Sequence, residues 1–400
     1  VWQLSKQFLS PALALLAVLP LEGVQYYNFH ALDFNDNVLE LSFWALIVWF
    51  FYRAINPVSV EQDTRAYFLW GLCSAVGMMV KYYTIVLIIP LLLVTLYCQE
   101  YRHCWRTPAF YGAGVLALGL MMPHIVWLVQ HDFITITYAI GRLNHASSFW
   151  WHHWYYPVQF GIDQCMNAAP MLLTLLPVVS IRRRTNAAKV MVAAYDYCFV
   201  CAVALGPLLT TLLISMVTGG KLHAGWGQPL LSYWGLLLML IWQPVLTVQQ
   251  IGRFVCWLVS LTILAVGIYA VAFVRGAEPS SANFPGQYLA NYVTQTWQQR
   301  YHQPLGIVAG SRFLVTNVAF YSPDHPKTYL DANPAFSPWL NDKLIMIHGG
   351  AFVWFADNNA YHELQRRFST ISAPLTISLP YLRKPELPPT VISVAYVPPA

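Results

Sequence analysis

Ionisable side chains set into or against long apolar stretches are the residues with chemistry to offer. Asp36, Lys81, His124, Arg142, Lys221 and His223 all stand in such places, with Asp33 close to the first of them. Charge held at membrane depth or at a membrane interface is costly and often functional. Lys and Arg bind phosphate oxygens, and a carboxylate can take the proton of an acceptor hydroxyl. An acid at one point and bases at several others suit a substrate with a phosphate and a leaving group. Each residue also has a purely structural explanation. Lys81 and Lys221 can snorkel from helix ends, and His124, directly after Pro123, can be satisfied within a helix kink. Convergence of several on one face would favour function.

The elements that position them follow from composition. The chain of 400 residues is 57% hydrophobic, 15% aromatic and only 10% charged, whereas soluble domains carry roughly a quarter charged residues. Such a chain has too little polar surface to cover a water-facing globule, so a polytopic membrane protein is expected. A spanning helix needs about 20 mostly apolar residues. Long charge-poor runs occupy Thr107–His131, Gln164–Ile181, Tyr197–Gly219, Leu222–Gly252 (longer than one helix needs) and Phe254–Val274. Shorter candidates are Gln7–Tyr26, Asn37–Ile55, Ala66–Val80 and Tyr82–Gln99, which makes nine spans. The two segments around Lys81 read as a tight helical hairpin. An apolar run is already in progress from Gln7 to Leu21, with no signal peptide before it, so further sequence is expected ahead of Val1.

The connecting segments give an orientation. Lys6, Arg53, Arg65, Arg102, Arg106, Arg182, Arg183, Arg184, Lys189 and Arg253 fall on one side of the expected spans, against only Lys81, Arg142 and Lys221 in the short loops of the other. By the positive-inside rule the first set is cytoplasmic. The loops with Asp36, Lys81, Arg142 and Lys221, and everything after Arg275, then face outward. Residues 1–275 form the membrane domain and 276–400 a small α/β domain. In the latter, Leu305–Ala309, Arg312–Asn317, Leu344–His348 and Ala351–Phe355 read as strands, Tyr361–Phe368 as a helix, and Pro385–Ala400 as irregular. The aromatic run Phe149–Tyr156 suits an interfacial helix or a wall of a lipid-substrate groove.

The seven cysteines lie outside the C-terminal domain and suggest no disulfide framework. Cys198 and Cys201 have redox-pair spacing but sit in an apolar helix as ordinary buried thiols. His152 and His153 are adjacent, which ill suits one ion, and no carboxylates complete a site; no metal or other cofactor is expected. Gly219–Gly220–Lys221 lacks the upstream glycine and following Ser/Thr of a P-loop. No nucleic-acid partner is expected.

Several blocks carry a family resemblance: Phe34–Leu39 running into Ser42–Leu46, Gly71–Leu72 with Val80–Thr84, and Pro123–Trp127 with Gln130–Phe133. Tyr138–Arg142, Gly220–His223 with Trp226 and Pro229, and Asn317–Asp324 continue the series. In this order they resemble bacterial membrane glycosyltransferases of the dolichyl-phosphate-mannose protein mannosyltransferase-like family, which includes the lipid A aminoarabinose and galacturonic-acid transferases. The resemblance implies a C-type fold, an all-α polytopic membrane core of about nine helices with a C-terminal periplasmic α/β domain, in a bacterial inner membrane. It implies transfer of a sugar from a polyprenyl phosphate to a lipid A, lipopolysaccharide or other lipid or glycolipid acceptor. On this basis Asp36 and Asn37 are candidate catalytic positions, and Lys81, His124, Arg142, Lys221, His223 and Trp226 candidate substrate contacts. Two departures stand out. The family's principal carboxylate usually lies in a first outer loop, here upstream of Val1, so these 400 residues are expected to bind donor but turn it over poorly. Many relatives also carry Asp seven residues before the Trp matching Trp44, where this chain has Asn37; Asp36 is adjacent but turned by about 100° on a helix.

The alternative is a non-catalytic polyprenyl-lipid transporter or a sugar-lipid-binding protein. A transporter would tend to have internal repeats and broken helices at mid-bilayer, and no motif block recurs between the two halves. A reporter active only in the periplasm is expected to work when fused after Arg275 or within Arg142–Ser148, and to be silent after Arg106 or Lys189. Activity after Lys189 would reverse the orientation.

Overall fold

Apolar runs in this chain form long helices, some of which carry proline within them, as at Pro123 and Pro207, while other runs are cut by 3-10 segments and turns. The structure, a computed structural model, describes residues 1–24, 27–28, 31, 34–57, 63–143, 149–179, 191–244, 246–275, 281–356, 360–383 and 386–400. It divides into two compact units, Val1–Ala265 and Val266–Ala400.

The first unit is helical. Its elements are α1 (Trp2–Phe8), α2 (Pro11–Val18), α3 (Asp36–Ile55), α4 (Thr64–Val80), α5 (Ile85–Tyr97), α6 (Pro108–Gln130), α7 (Ile134–Leu143), α8 (His152–Thr174), α9 (Leu176–Val179), α10 (Ala194–Thr218) and α11 (Trp234–Trp242). A last helix, α12 (Val248–Arg275), starts in this unit and runs into the second.

Among the described residues, α3, α6, α10 and residues Val248–Val274 of α12 are long and apolar enough to cross a membrane. Tyr82–Tyr97 and Gln99–Arg106, bent by 106°, make a fifth span if counted together. Four or five such spans thus stand among the described residues, against the nine expected. The run Gln7–Tyr26 is cut at Pro11 and again at a 3-10 segment, Leu19–Gly23, containing Pro20. The run Leu222–Gly252 is cut by the 3-10 segment Ala224–Leu231, which holds Pro229, and by Gln243, left-handed at φ 44°. Helix α8 is long, but Asp163, Gln164 and Asn167 interrupt its apolar character. Apolarity of a window does not register such breaks, because the missing N–H and fixed φ of proline act on the backbone.

The surfaces of α6 and α12 decide the solvent. Val115 is 70% exposed and Ile263 67%, and apolar neighbours along both helices are exposed with them. Faces of this extent are foreign to water-soluble monomers and ordinary against lipid tails, which marks the chain as a membrane protein. Without a hydrophobic drive between helices, close packing holds them together. Gly71 of α4 illustrates it: a Cβ there would stand 2.4 Å from the Ala113 carbonyl oxygen of α6. The segment 180–190, with Arg182, Arg183, Arg184 and Lys189, lies outside the described residues, as does Asp33.

The second unit carries a five-stranded sheet of order β2-β1-β3-β5-β4, from β1 (Ile307–Gly310), β2 (Lys327–Leu330), β3 (Gly350–Phe355), β4 (Leu375–Leu379) and β5 (Thr390–Val397). Strand β1 pairs parallel with β2 and β3, while β5 runs antiparallel between β3 and β4. Helices α13 (Gly286–Tyr301), α14 (Arg312–Tyr321), α15 (Asp342–His348) and α16 (Ala360–Arg367) accompany it. The segments Arg312–Asn317 and Leu344–His348, expected as strands, are the helices α14 and α15. A parallel pair needs a crossover, and α14 supplies the one from β1 to β2, burying Leu314, Val315 and Val318 at helical spacing. Asn341 caps α15 by accepting from Leu344 N at 3.0 Å. The stretch expected to be irregular contains β5, whose prolines flank the strand instead of interrupting it. Between α15 and α16, Arg367 holds Asp342 by two bonds of 2.7 and 3.1 Å, and Tyr329 donates to the same carboxylate at 2.8 Å. Burial, with Asp342 beside it, pushes the Tyr329 phenol up to about 12, so it remains a donor.

Replacing Gly71 by Leu should force α4 and α6 apart, an overpacking cost of about 1–3 kcal/mol. The thermal midpoint in detergent should fall, and less so for Gly71→Ala. An unchanged midpoint in Gly71→Leu would show that the two helices do not pack through this glycine.

Candidate active site

The site is built where α3 begins and α4 ends. Asn35 caps α3, its side-chain oxygen accepting from Asn37 N at 2.9 Å and Val38 N at 3.3 Å. Asp36 occupies the first turn, where the positive end of the helix dipole favours a carboxylate. Helix α4 ends at Val80, and Lys81 is its C-cap, with its N–H bonded to the Gly77 carbonyl at 2.9 Å. That is the helix end that favours a cation. Thr84 Oγ1 donates to the same carbonyl at 3.0 Å and fixes the turn.

The Lys81 side chain crosses to α3. Its ammonium donates to Asn37 Oδ1 and stands 3.5 Å from Glu40 Oε2 and 3.8 Å from Asp36 Oδ2. Positions 36, 37 and 40 share one helix face because residues four apart lie one turn on. Glu40 is the residue that the sequence reading missed. It is fully buried; its Oε1 accepts from Trp44 Nε1 at 3.2 Å, and its Oε2 has no hydrogen bond. A lone carboxylate inside an apolar run, four residues after Asp36, was the available signal.

Aromatic side chains surround Lys81. Its ammonium sits 5.6 Å from the centroid of the Tyr83 ring. Tyr83 stacks on Trp44 at 6.2 Å and lies 6.3 Å from Trp226. Thr211 spends its proton on the Pro207 carbonyl at 2.7 Å, so the Tyr83 hydroxyl donates to Thr211 Oγ1, also at 2.7 Å. Tyr82 reaches the other way, with its hydroxyl 2.6 Å from His124 Nε2 and 2.8 Å from Thr135 Oγ1. His124 in turn stacks on Trp127.

Between these groups is a cavity of about 270 Å³. Ile85, Val86, Ala139, Ile214, Leu222, Tyr82, Tyr83 and Trp226 line it, with Thr211 and Lys81 as its polar members. The structure therefore brings together Asp36, Asn37, Lys81 and Trp226, and links His124 through Tyr82. Lys221 and His223 flank the cavity residue Leu222 but are themselves exposed. Arg142 is in the last turn of α7, and its side chain lies outside the described residues.

The aromatic run continues into the start of α8. His152 is buried there, and its Nδ1 accepts from Phe149 N at 3.2 Å. Nδ1 of His153 is 2.7 Å from the Met216 carbonyl. Both imidazoles are thus tied to the backbone. Among the described residues no group of three or more His, Cys, Asp or Glu is placed to hold a metal ion.

Residues 1–127 match the family described as dolichyl-phosphate-mannose-protein mannosyltransferase. No curated protein and no solved structure matches the chain. The matched segment contains Asp36, Asn37, Glu40, Lys81 and His124, whereas Trp226 and the rest of the cavity's far wall fall outside it. Over this segment the chain is similar to the mannosyltransferase family to which its motifs pointed, and the activity in general that goes with this family is glycosyl transfer at a membrane.

Proposed function

We propose that the chain transfers a sugar from a polyprenyl-phosphate donor to a lipid A, lipopolysaccharide or other glycolipid acceptor, at the periplasmic face of a bacterial inner membrane. One observation carries this reading: a single ammonium, Lys81, stands at a cavity otherwise lined almost wholly by apolar and aromatic side chains. An isoprenoid chain with an anionic head group has the matching chemistry, its hydrocarbon against Ile85, Val86 and Ile214 and its phosphate oxygens toward Lys81. Asp36, next to Lys81 and 53% exposed, is the carboxylate within reach of an acceptor hydroxyl. Trp226 serves as a ring against the sugar or the first isoprene units. Lys221, His223 and Arg142 are proposed as further contacts to the head group, brought in as it docks. His124 orients Tyr82 at the rim.

In this reading Asp36 takes the hydroxyl proton, the acceptor oxygen bonds to the anomeric carbon, and the bond from that carbon to the phosphate oxygen breaks. Charge then builds on the departing phosphate beside Lys81, where a preorganised cation is most effective.

Sugar transfer from a polyprenyl-phosphate sugar to extracted lipid acceptors, measured in detergent, tests the proposal. Per folded protein, Lys81→Ala should lower donor turnover roughly tenfold to a hundredfold, from loss of a charged hydrogen bond worth about 1.5–3 kcal/mol, while the yield of folded protein falls because Glu40 loses its partner. Unchanged donor kinetics in Lys81→Ala would remove the donor assignment. Donor binding without transfer to any acceptor would instead favour a sugar-lipid-binding protein.

A further inference from the structure

An ammonium has three protons to donate, and three acceptors of α3 already surround that of Lys81: Asn37 Oδ1, Glu40 Oε2 at 3.5 Å and Asp36 Oδ2 at 3.8 Å. Only 14% of the Lys81 side chain is exposed. Asn37 accepts a hydrogen bond and the two carboxylates hold the ammonium by charge, so an anion entering the cavity competes with these carboxylates for Lys81.

Geometry decides which of them yields. Asn37 is the closest contact. Glu40 is fully buried and its Oε2 has no hydrogen-bond partner, so withdrawing Lys81 would strand a buried charge, which is strongly unfavourable. Asp36 is the most distant of the three and about half exposed. Water can solvate it once it lets go, and the N-terminus of α3 favours its charge with or without Lys81.

We propose that Asp36 is an exchangeable ligand of Lys81, displaced by the phosphate of the docking donor and thereby released to act as base. This rests on the donor reading above and adds an order to it: the donor must be seated before Asp36 is free to activate the acceptor. The freed carboxylate accepts the hydroxyl proton, the acceptor oxygen bonds to the anomeric carbon, and the electron pair of the broken bond stays on the phosphate, which gains one negative charge beside Lys81. The proton on Asp36 passes to water. When the polyprenyl phosphate leaves, Asp36 returns to Lys81, and the site again holds no free base. Glu40 and Asn37 stay in place throughout.

The exchange predicts opposite effects on binding and turnover. Asp36→Asn removes the charged competitor, so the full chain in detergent should bind a short polyprenyl phosphate, followed by tryptophan fluorescence, about two- to fivefold more tightly, the scale of a part-exposed ion pair. Sugar transfer should fall on the order of 10²–10⁴-fold with the base gone. Asp36→Ser, also neutral and suited to a helix start, should behave alike and guards against a folding defect of one variant. Binding that is unchanged or weaker in both variants overturns the exchange, as does unimpaired transfer. Lys81→Ala separates the two levels. If it binds polyprenyl phosphate as the unmodified chain does, the donor reading fails. If it loses binding while the Asp36 variants gain none, only the exchange fails.

Discussion

A lysine ammonium at the end of a helix that packs in a membrane protein has to be solvated by the protein, and in this chain α3 does so. Asp36, Asn37 and Glu40 meet Lys81 from one face of α3, and the arrangement exists only in one register of α3 against α4. Turning α3 by a single residue would move all three acceptors by about 100° and leave Lys81 against apolar side chains. Removing one partner of a buried pair of this kind costs about 3–5 kcal/mol, large beside the stability of most domains. Lys81 therefore locks the helix pair as well as marking the cavity. The antiparallel sense of the pair gives each charge the helix end that favours it: the acid begins α3 and the base ends α4.

The opposite end of the same helices is organised by a second acid. Asp196, in the first turn of α10, accepts from Tyr52 of α3 at 3.1 Å and from Tyr101 at 3.0 Å, and Arg53 pairs with Asp63 at the start of α4. Here two tyrosine hydroxyls donate to one oxygen of the half-buried Asp196 carboxylate. At the Lys81 end one carboxylate oxygen of Glu40 has no hydrogen bond, and an open cavity adjoins. This contrast separates a structural knot from a site that has room for a ligand.

Legibility followed the physics of each element. Helices α3, α6, α10 and α12 could be read from their apolar runs, because length and absence of charge are what span a membrane. The breaks at Gln243 and before α2 could not, since they come from backbone geometry within runs that still look apolar. In the second unit β1, β3 and α16 were legible. Helices α14 and α15 were read as strands because short β-branched segments fit either period; the crossover that makes α14 a helix is a property of the sheet, not of the segment. At the site, Asp36 and Lys81 stood out as charges in apolar surroundings. Glu40 did not, because its meaning depends on Lys81 arriving from another helix. Lys221 and His223 stood out equally and yet remain exposed beside Leu222, so charge in an apolar context selects candidates without deciding among them.

Asn37 now has a physical explanation. The resemblance implies Asp at this position, seven residues before Trp44, in many relatives. An Asp here would surround Lys81 with three carboxylates, one of them fully buried and one half-buried, and like charges so close disfavour the ionised form of each. Glu40 supplies the buried negative charge one turn deeper, fixed by Trp44, and a neutral amide at 37 supplies an acceptor without adding charge. The pair Asn37 and Glu40 thus holds Lys81, which leaves Asp36, nearest the helix end and nearest water, as the one partner of the three that can be spared. In the exchange proposed above, the fixed charge at Glu40 is what leaves Asp36 free to be displaced.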